Sequence, residues 1–491
     1  MEIFCSGSSI NVKTEKMGKI EELFNRAKTI GEIIDKKVRE GKNIIVLGHL
    51  DADGITSASI IAKAILRKNG RFVVRIINNL KLKTVHELKE EDYDFYIFCE
   101  LGAGIGRQIK EILNDKWIAI DHHQISEDEK SIDNIINSWQ FGIDGTKEIS
   151  ASGMSYIVAL TMDRNNTDLS CLAVVGALGD KQDQGEGRSI TGLNEIIVKD
   201  AIESGYLKVT KDLMFYGRET KPIHEAIAST TTPFIPGLTG NRDSCLATLT
   251  SAGIKLKEGV RWRTIAELSE EEKGKVIEAI IPYLTLAPSA TDKVKELIGN
   301  IYTLEREDEH TSLRDGREFA TLLNACGRTG NGGVGVSICL GDRDFALQEG
   351  ERILAEYKHT LNNYVQNILS DEKRVVEGKW SFMVIGDGLI DEKMLGAISS
   401  ILSGITRFEG KALFVKTITN DGDVSFSARK TKGCSPALNL GLIMAEASKF
   451  EGVGGGHDVA AGARIPIQRS DEFLKIIEER LRELDEGKGQ N

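Results

Sequence analysis

Three apolar runs, each of strand length, end on acids or histidines: "NIIVLGHLDADG" (43–54), "YDFYIFCELGAG" (93–104) and "KWIAIDHHQ" (116–124). "ITSASIIAKAILRKNG", stopped by Gly70, and "GRQIKEILND" carry a helical period between them, and "RFVVRII" supplies a further strand. Strands alternating with helices require a parallel sheet with crossovers on both faces. In such sheets ligands sit beyond the carboxyl ends of the strands, where these acids and histidines fall. Upstream, Ile20, Phe24, Ala27, Ile30, Ile33 and Ile34 give residues 17–40 a helical period. Downstream, helices are expected at 151–163 and 168–179, the second running into "ALGDKQDQGEG".

The 491 residues are too many for one ordinary core and imply several domains. From 205 to 308 the pattern is mainly helical. From 309 a second α/β unit is expected, with strands "GVGVSICL", "SFMVIG", "KALFVKTI" and "DVSFSAR" and a glycine-rich "GVGGGHDVAAGARIP". The tail "SDEFLKIIEERLRELDEG" reads as a helix packing by Phe473, Ile476, Ile477 and Leu481.

A net charge of −11 argues against coating duplex DNA by charge alone, yet leaves room for a nuclease whose metal-binding acids raise the negative count. The seven cysteines (Cys5, Cys99, Cys171, Cys245, Cys326, Cys339, Cys434) form no CxxC pair, which fits a reducing compartment and excludes a zinc knuckle. With no apolar run of about 18 residues and no signal-peptide core at the N-terminus, a cytoplasmic protein without membrane contact is expected. "ELGAGIGR" carries Gly102, Gly104 and Gly106, but Arg107 breaks the dinucleotide spacing, and no P-loop is present; a nucleotide cofactor is not expected.

In extended backbone alternate side chains share a face, so His49, Asp51 and Asp53 are expected to point together. The competing reading of this DxD is a cap on the helix that follows. Asp121, His122 and His123 directly follow another strand. Two adjacent histidines cannot face the same way in extended chain, so one would ligate metal and the other contact substrate, with the Asp fixing a tautomer. Only eight histidines occur in the chain, which makes a pair at a strand end informative. Glu100 and Asp180 complete four acids, enough for two hard cations sharing one carboxylate. Two such ions about 3.5–4 Å apart clamp a phosphoryl group and activate water, which points to metal-assisted hydrolysis of a phosphate ester.

Taken in order, "GHLDADG", "FCELGAG", "AIDHHQ" and "GALGDKQD" resemble the phosphoesterase motifs of the DHH superfamily, and "SARKTKG…LNLGLIMAEA…EGVGGGHDVAAGARIP" resembles its DHHA1 partner domain. "REFATLLNACGR" and "GVSICLGD" are similar to the RecJ-like branch, the archaeal GINS-associated nucleases in particular. The resemblance implies an α/β protein: a parallel-sheet DHH phosphoesterase domain (1–204), a helical interdomain insertion (205–308) and an α/β DHHA1 nucleic-acid-binding domain (309–491), with the active site in the cleft between the two α/β domains. It implies a 5′→3′ exonuclease on single-stranded DNA, and on RNA as a further substrate, using two Mn²⁺ or Mg²⁺ ions. It also implies a role in DNA replication and repair through the GINS complex and the replicative helicase.

Carried over position by position, His49, Asp51 and Glu100 would hold one ion, and Asp53, Glu100, His122 and Asp180 the other. Asp121 and His123 would complete the catalytic set, with His123 on the scissile phosphate. Arg429, Gly454, Gly455, Gly456 and His457 would grip strand phosphates, and Asn324 and Arg328 would add contacts. A tight turn for the glycine run and a helix cap for Asn324 are the plainer readings. The family usually has Asp where this chain has Glu100. Two rival functions follow: a RecJ-like scaffold of the replicative helicase complex with weakened chemistry, and a phosphodiesterase for dinucleotides or short oligomers.

Overall fold

The computed structural model describes residues 10–230, 233–284, 294–449 and 451–487. The chain divides into two compact units: Met1–Ala226, Ile254–Lys275 and Val294–Leu354 form one, and Ile227–Gly253, Val276–Lys293 and Ala355–Asn491 the other. Among the described residues no helix is long and apolar enough to cross a membrane, and the six cysteines are free thiols, Cys5 lying outside them.

The first unit is built on a five-stranded sheet in the order β2-β1-β3-β4-β5, with β1 Asn43–His49, β2 Arg71–Ile77, β3 Phe95–Cys99, β4 Trp117–Asp121 and β5 Ile135–Asn137. Every pairing is parallel, as the strand–helix alternation requires. From β1 the chain crosses to β2 on one side and then to β3 on the other. The crevice at a parallel sheet's switch point therefore opens between the ends of β1 and β3. Register decides what stands there. Gly48 pairs with Cys99, and Cys99 with Ile120, so the next residues, His49, Glu100 and Asp121, form one row across three adjacent strand ends.

The helix Ala52–Arg67 leaves β1 at this row and packs against Ala151–Met162 and Ser170–Gly179. Ile55, Ile60, Ile61 and Ile65 are fully buried in it. The sheet's other face closes over Phe98, Trp117, Ile109 and Leu88. Burying one such side chain is worth about 1.5–3 kcal/mol, so the strand ends rest on a rigid base.

Residues 205–308 begin and end in an antiparallel pair, β6 Leu207–Leu213 with β9 Ile298–Leu304, and contain the hairpin β7 Lys257–Glu258 and β8 Arg261–Trp262 besides their helices. "GVGVSICL" is not a strand but the body of a helix, Gly332–Leu340, packed against Ala52–Arg67 and Gly316–Arg328. A short apolar run buried on several sides carries the same pattern in either state.

The second unit holds a six-stranded mixed sheet ordered β10-β11-β12-β13-β15-β14, formed by Val375–Glu377, Ser381–Ile385, Ala412–Ile418, Asp423–Lys430, Val453–Gly456 (β14) and Ala460–Pro466 (β15). The tail helix Ser470–Asp485 buries Phe473, Ile477 and Leu481 against it.

Candidate metal centre

Asp51 and Asp53 do not share a face, because the helix starts between them, at Ala52. Two residues of helix turn a side chain by about 200°, and the two carboxylates enter different groups. Asp51 serves both readings of the DxD. Its Oδ1 accepts the Gly54 N–H at 3.1 Å as the helix cap, while its Oδ2 stands 3.0 Å from His49 Nδ1. Gly54 is required by close approach: a Cβ there would lie 2.5 Å from the His49 backbone.

Asp53 is 1% exposed. Its two oxygens accept the Ala151 and Ser152 N–H groups at 2.8 and 2.9 Å, at the start of the helix Ala151–Met162. A carboxylate there is stabilised by the unpaired N–H groups and positive end of the helix.

Glu100 is the join. Its backbone is left-handed, φ 59°, a conformation a long side chain adopts at a cost of about 1–3 kcal/mol. Its Oε1 lies 3.7 Å from His49 Nδ1 and 3.9 Å from His122 Nε2. His122 Nε2 is in turn 3.7 Å from Asp53 Oδ2. Among the described residues, candidate ligand atoms lie within 4.8 Å of one another in three sets: His49, Asp51 and Glu100; Asp53, His122 and Asp180; and Glu100, His122 and His123.

The adjacent histidines both reach this centre, because the chain leaves extended conformation after Asp121; their ring centroids are 4.6 Å apart. Asp121 organises the turn, accepting the His122 and His123 N–H groups at 2.8 and 3.1 Å and His123 Nδ1 at 2.9 Å. Three residues that the sequence did not single out hold the same turn. Gly145 accepts His122 Nδ1–H through its carbonyl at 2.6 Å, leaving Nε2 as the lone-pair nitrogen. Trp139 Nε1 donates to the His122 carbonyl at 2.9 Å and Asn137 Nδ2 to the His123 carbonyl at 3.0 Å. A Cβ on Gly145 would collide with the His122 carbonyl. No local periodicity marks these three, whose role depends on a loop folding back across the strand end.

Burial and crowded like charges dominate the electrostatics of these groups. Burial, with the charge of Asp51 added, pushes the Glu100 carboxyl up to about 8. Burial raises Asp180 to about 6. Burial opposes charge on His49 and His122, but the surrounding carboxylates outweigh it and lift both imidazoles well above their ordinary range. Burial would likewise raise Asp121, yet His123 brings it down to about 2. Glu100 Oε2 and His122 Nε2 are buried without a hydrogen-bond partner. Buried polar atoms left unpaired are costly, and a hard divalent cation, taking the place of the protons these groups would otherwise hold, fits this carboxylate–imidazole set.

Asn324 Oδ1 accepts the Ala52 N–H at 3.1 Å, so its side chain caps the helix of the DxD loop. Arg328 ends the same helix as Asn324, half-buried. Arg429, Gly454, Gly455, Gly456 and His457 lie in the second unit. Arg429 is on β13 (Asp423–Lys430), its Nη2 donating to the Gly396 carbonyl at 3.3 Å. The glycine run is neither loop nor turn: Gly454–Gly456 belong to the edge strand β14, and His457 follows, its carbonyl accepting the Gly441 N–H at 3.0 Å.

A parallel sheet whose switch point gathers overlapping carboxylate–histidine groups defines the framework of a phosphoesterase. Residues 43–178 match the DHH family N-terminal domain, 215–298 the DHH-CID domain and 380–483 the DHHA1 domain. An uncharacterized protein of Methanocaldococcus jannaschii is 33% identical over 473 residues, 94% of this chain and 98% of that protein. CDC45 from Entamoeba histolytica superposes with a TM-score of 0.62 at 12% identity, covering 94% of this chain and 99% of that one. RecJ from Thermus thermophilus, in complex with Mn²⁺, superposes with a TM-score of 0.55 at 14% identity over 93% of this chain. That alignment covers 55% of the RecJ chain, so this protein spans just over half its length. The chain belongs to the DHH/DHHA1 family and has the RecJ-like fold.

Proposed function

We propose that the protein is a two-metal phosphodiesterase, a single-strand-specific exonuclease that degrades DNA from its 5′ end and accepts RNA as a second substrate. The observation that carries this reading is Glu100 Oε1, within 4 Å of one imidazole from each of two carboxylate–histidine groups. His49, Asp51 and Glu100 would hold one divalent ion, and Asp53, Glu100, His122 and Asp180 the second. Mn²⁺ or Mg²⁺ fits, and the RecJ structures in complex with either ion support that choice. Such a pair supplies an activated water and charge stabilisation for the leaving oxygen.

The chain's own residues do the rest. Asp121 orients His123 through Nδ1, leaving Nε2 to donate to a non-bridging phosphate oxygen. Its cationic form is favoured, since Asp121 overcomes the effect of burial and raises the His123 pKa. Arg429, His457 and outward-facing backbone N–H groups of the glycine edge strand Gly454–Gly456 would bind phosphates along the strand. Asn324 and Arg328 would contact it near the DxD loop.

The test is degradation of 5′- and 3′-labelled single-stranded DNA and RNA with Mn²⁺, comparing wild type, Asp53→Ala and Glu100→Asp. A short-oligomer substrate in the same assay separates an exonuclease from a dinucleotide phosphodiesterase. Cleavage by wild type that Asp53→Ala abolishes supports the proposal. No cleavage by wild type, with rescue by Glu100→Asp, would sink it in favour of a second reading, a helicase-complex scaffold. That reading draws on the full-length CDC45 likeness and on the strained Glu100. Association with the GINS complex and the replicative helicase is a separate part of the proposal, checked by co-purification of GINS subunits with the tagged protein.

A further inference from the structure

Gln182 is fully buried, two residues past Asp180. The helix Ser170–Gly179 ends at Asp180, Lys181 takes a left-handed φ of 58°, and the Gln182 N–H returns to the Ala177 carbonyl at 2.9 Å. This closure of the helix end reverses the chain and brings the side chains of Asp180 and Gln182 together. Gln182 Nε2 donates to Asp180 Oδ2 at 2.8 Å. The same nitrogen donates at 2.8 Å to the Gly145 carbonyl, which also takes the proton of His122 Nδ1. A third acceptor, the Ile149 carbonyl, lies at 3.3 Å.

The orientation of the amide is fixed from behind. Gln182 Oε1 accepts Asn194 Nδ2–H at 2.6 Å. A flipped amide would set oxygen against acceptors and nitrogen against a donor. Asn194 Oδ1 accepts the Ser150 N–H at 3.4 Å, and Ser150 caps the helix whose first N–H groups hold Asp53. One buried chain of hydrogen bonds therefore runs behind Asp180, His122 and Asp53.

We infer that Gln182 is the positioning residue of the Asp53–His122–Asp180 metal position, acting through the Asp180 carboxylate and the Gly145 carbonyl without touching the ion. It leaves the His49–Asp51 side alone. The inference rests on the two-metal reading of the centre. Partners of metal ligands that hold tautomer and rotamer typically contribute about 10–100-fold in affinity.

The test is Mn²⁺ titration calorimetry on the full-length protein, with melting temperature recorded in parallel. Wild type gives a two-site isotherm. Gln182→Met keeps the volume but removes the donor, and weakens one site by about 10–100-fold while the other is unchanged. Gln182→Glu weakens the same site further by setting a second carboxylate against Asp180. Asn194→Ala, which only unanchors the amide, weakens it by a few-fold and carries the test with Gln182→Glu should Gln182→Met not fold. Unchanged isotherms in both Gln182 variants overturn the inference. So does equal weakening of both sites with a lowered melting temperature, the signature of a purely structural residue. A wild type that binds no Mn²⁺ overturns the metal reading itself, and the inference with it.

Discussion

The two sides of the candidate centre are built on different plans. On one, His49 and Asp51 are a quarter exposed, lie on the last residue of β1 and the loop after it, and meet a left-handed Glu100. On the other, Asp53 and His122 are each 1% exposed; Asp53 is held by two backbone N–H groups and His122 by the Gly145 carbonyl. Main-chain groups pre-organise Asp53 and His122, with Asp180 beside them a quarter exposed, whereas His49 lies against the carboxylates of Asp51 and of the strained Glu100 that reaches both groups. Pre-organised ligands bind tightly and tolerate little change; an exposed, strained set can be adjusted by substitution. Rate and metal preference should therefore be tuned on the open side, and the fold's integrity should be tied to the buried one.

The largest expected effect comes from Asp53→Ala, which removes a proposed ligand and two charge-assisted hydrogen bonds together. The proposed cleavage of labelled single strands falls by about 1,000-fold or more, and stability drops by about 2–3 kcal/mol in urea denaturation. His49→Ala costs activity with stability nearly unchanged. Equal stability losses in the two variants would erase the distinction between the sides. Next is Glu100→Asp, which shortens the carboxylate by one methylene and places a residue more tolerant of positive φ in the left-handed position. A shift near 1 Å changes rates by about 100-fold; turnover of labelled single strands is expected to rise toward that limit, and a fall would show the longer arm to be fitted to this chain.

A smaller effect is titration. Ionised ligands are needed for metal, and Glu100 and Asp180 have pKa values raised to about 8 and about 6 in the metal-free fold. Because these lie above the values in an unfolded chain, near 4, metal-free stability declines as pH rises from there through 8. Mn²⁺ affinity climbs over the same span, by up to about tenfold per pH unit. Calorimetry between pH 6 and 8.5 reads the slope, and a flat profile contradicts the assignment of both acids. The smallest is Asn324→Ala, which removes the acceptor of the Ala52 N–H in the first turn of the DxD helix and leaves the Asp51 cap in place. About 1 kcal/mol of stability is lost, with a few-fold change in rate; a large loss of strand affinity at unchanged stability would instead make Asn324 mainly a substrate contact.

Much of this was readable along the chain wherever a signal is local. Strand ends bearing His49, Glu100 and Asp121 were legible because apolar runs and their polar stops are adjacent in sequence. The divergence of Asp51 from Asp53 was implied by the resemblance but not by the residue pattern, since it depends on which residue begins a helix, and the boundary is the least legible part of any element. "GVGVSICL" was read as a strand because burial on several sides erases periodicity. A tight turn is the plainer sequence reading of the glycine run beside a phosphate grip, yet Val453–Gly456 pair with Ala461–Arg464 of β15 and form a ladder.

The sequence by itself determined the alternation that forces a parallel sheet, the row of acids and histidines at its carboxyl edge, and the family. The resemblance implied how those residues divide between two ions; only the tertiary structure set the distances at which Glu100 faces an imidazole of each group and placed Gly145, Trp139, Asn137 and Gln182 behind them. The reason is physical. Strand and helix identity follow from contacts within a few residues, whereas the orientation of Asp53 and of the His122–His123 turn is fixed by hydrogen bonds between segments 14 to 99 residues apart, whose meeting is decided by how the sheet and its helices pack.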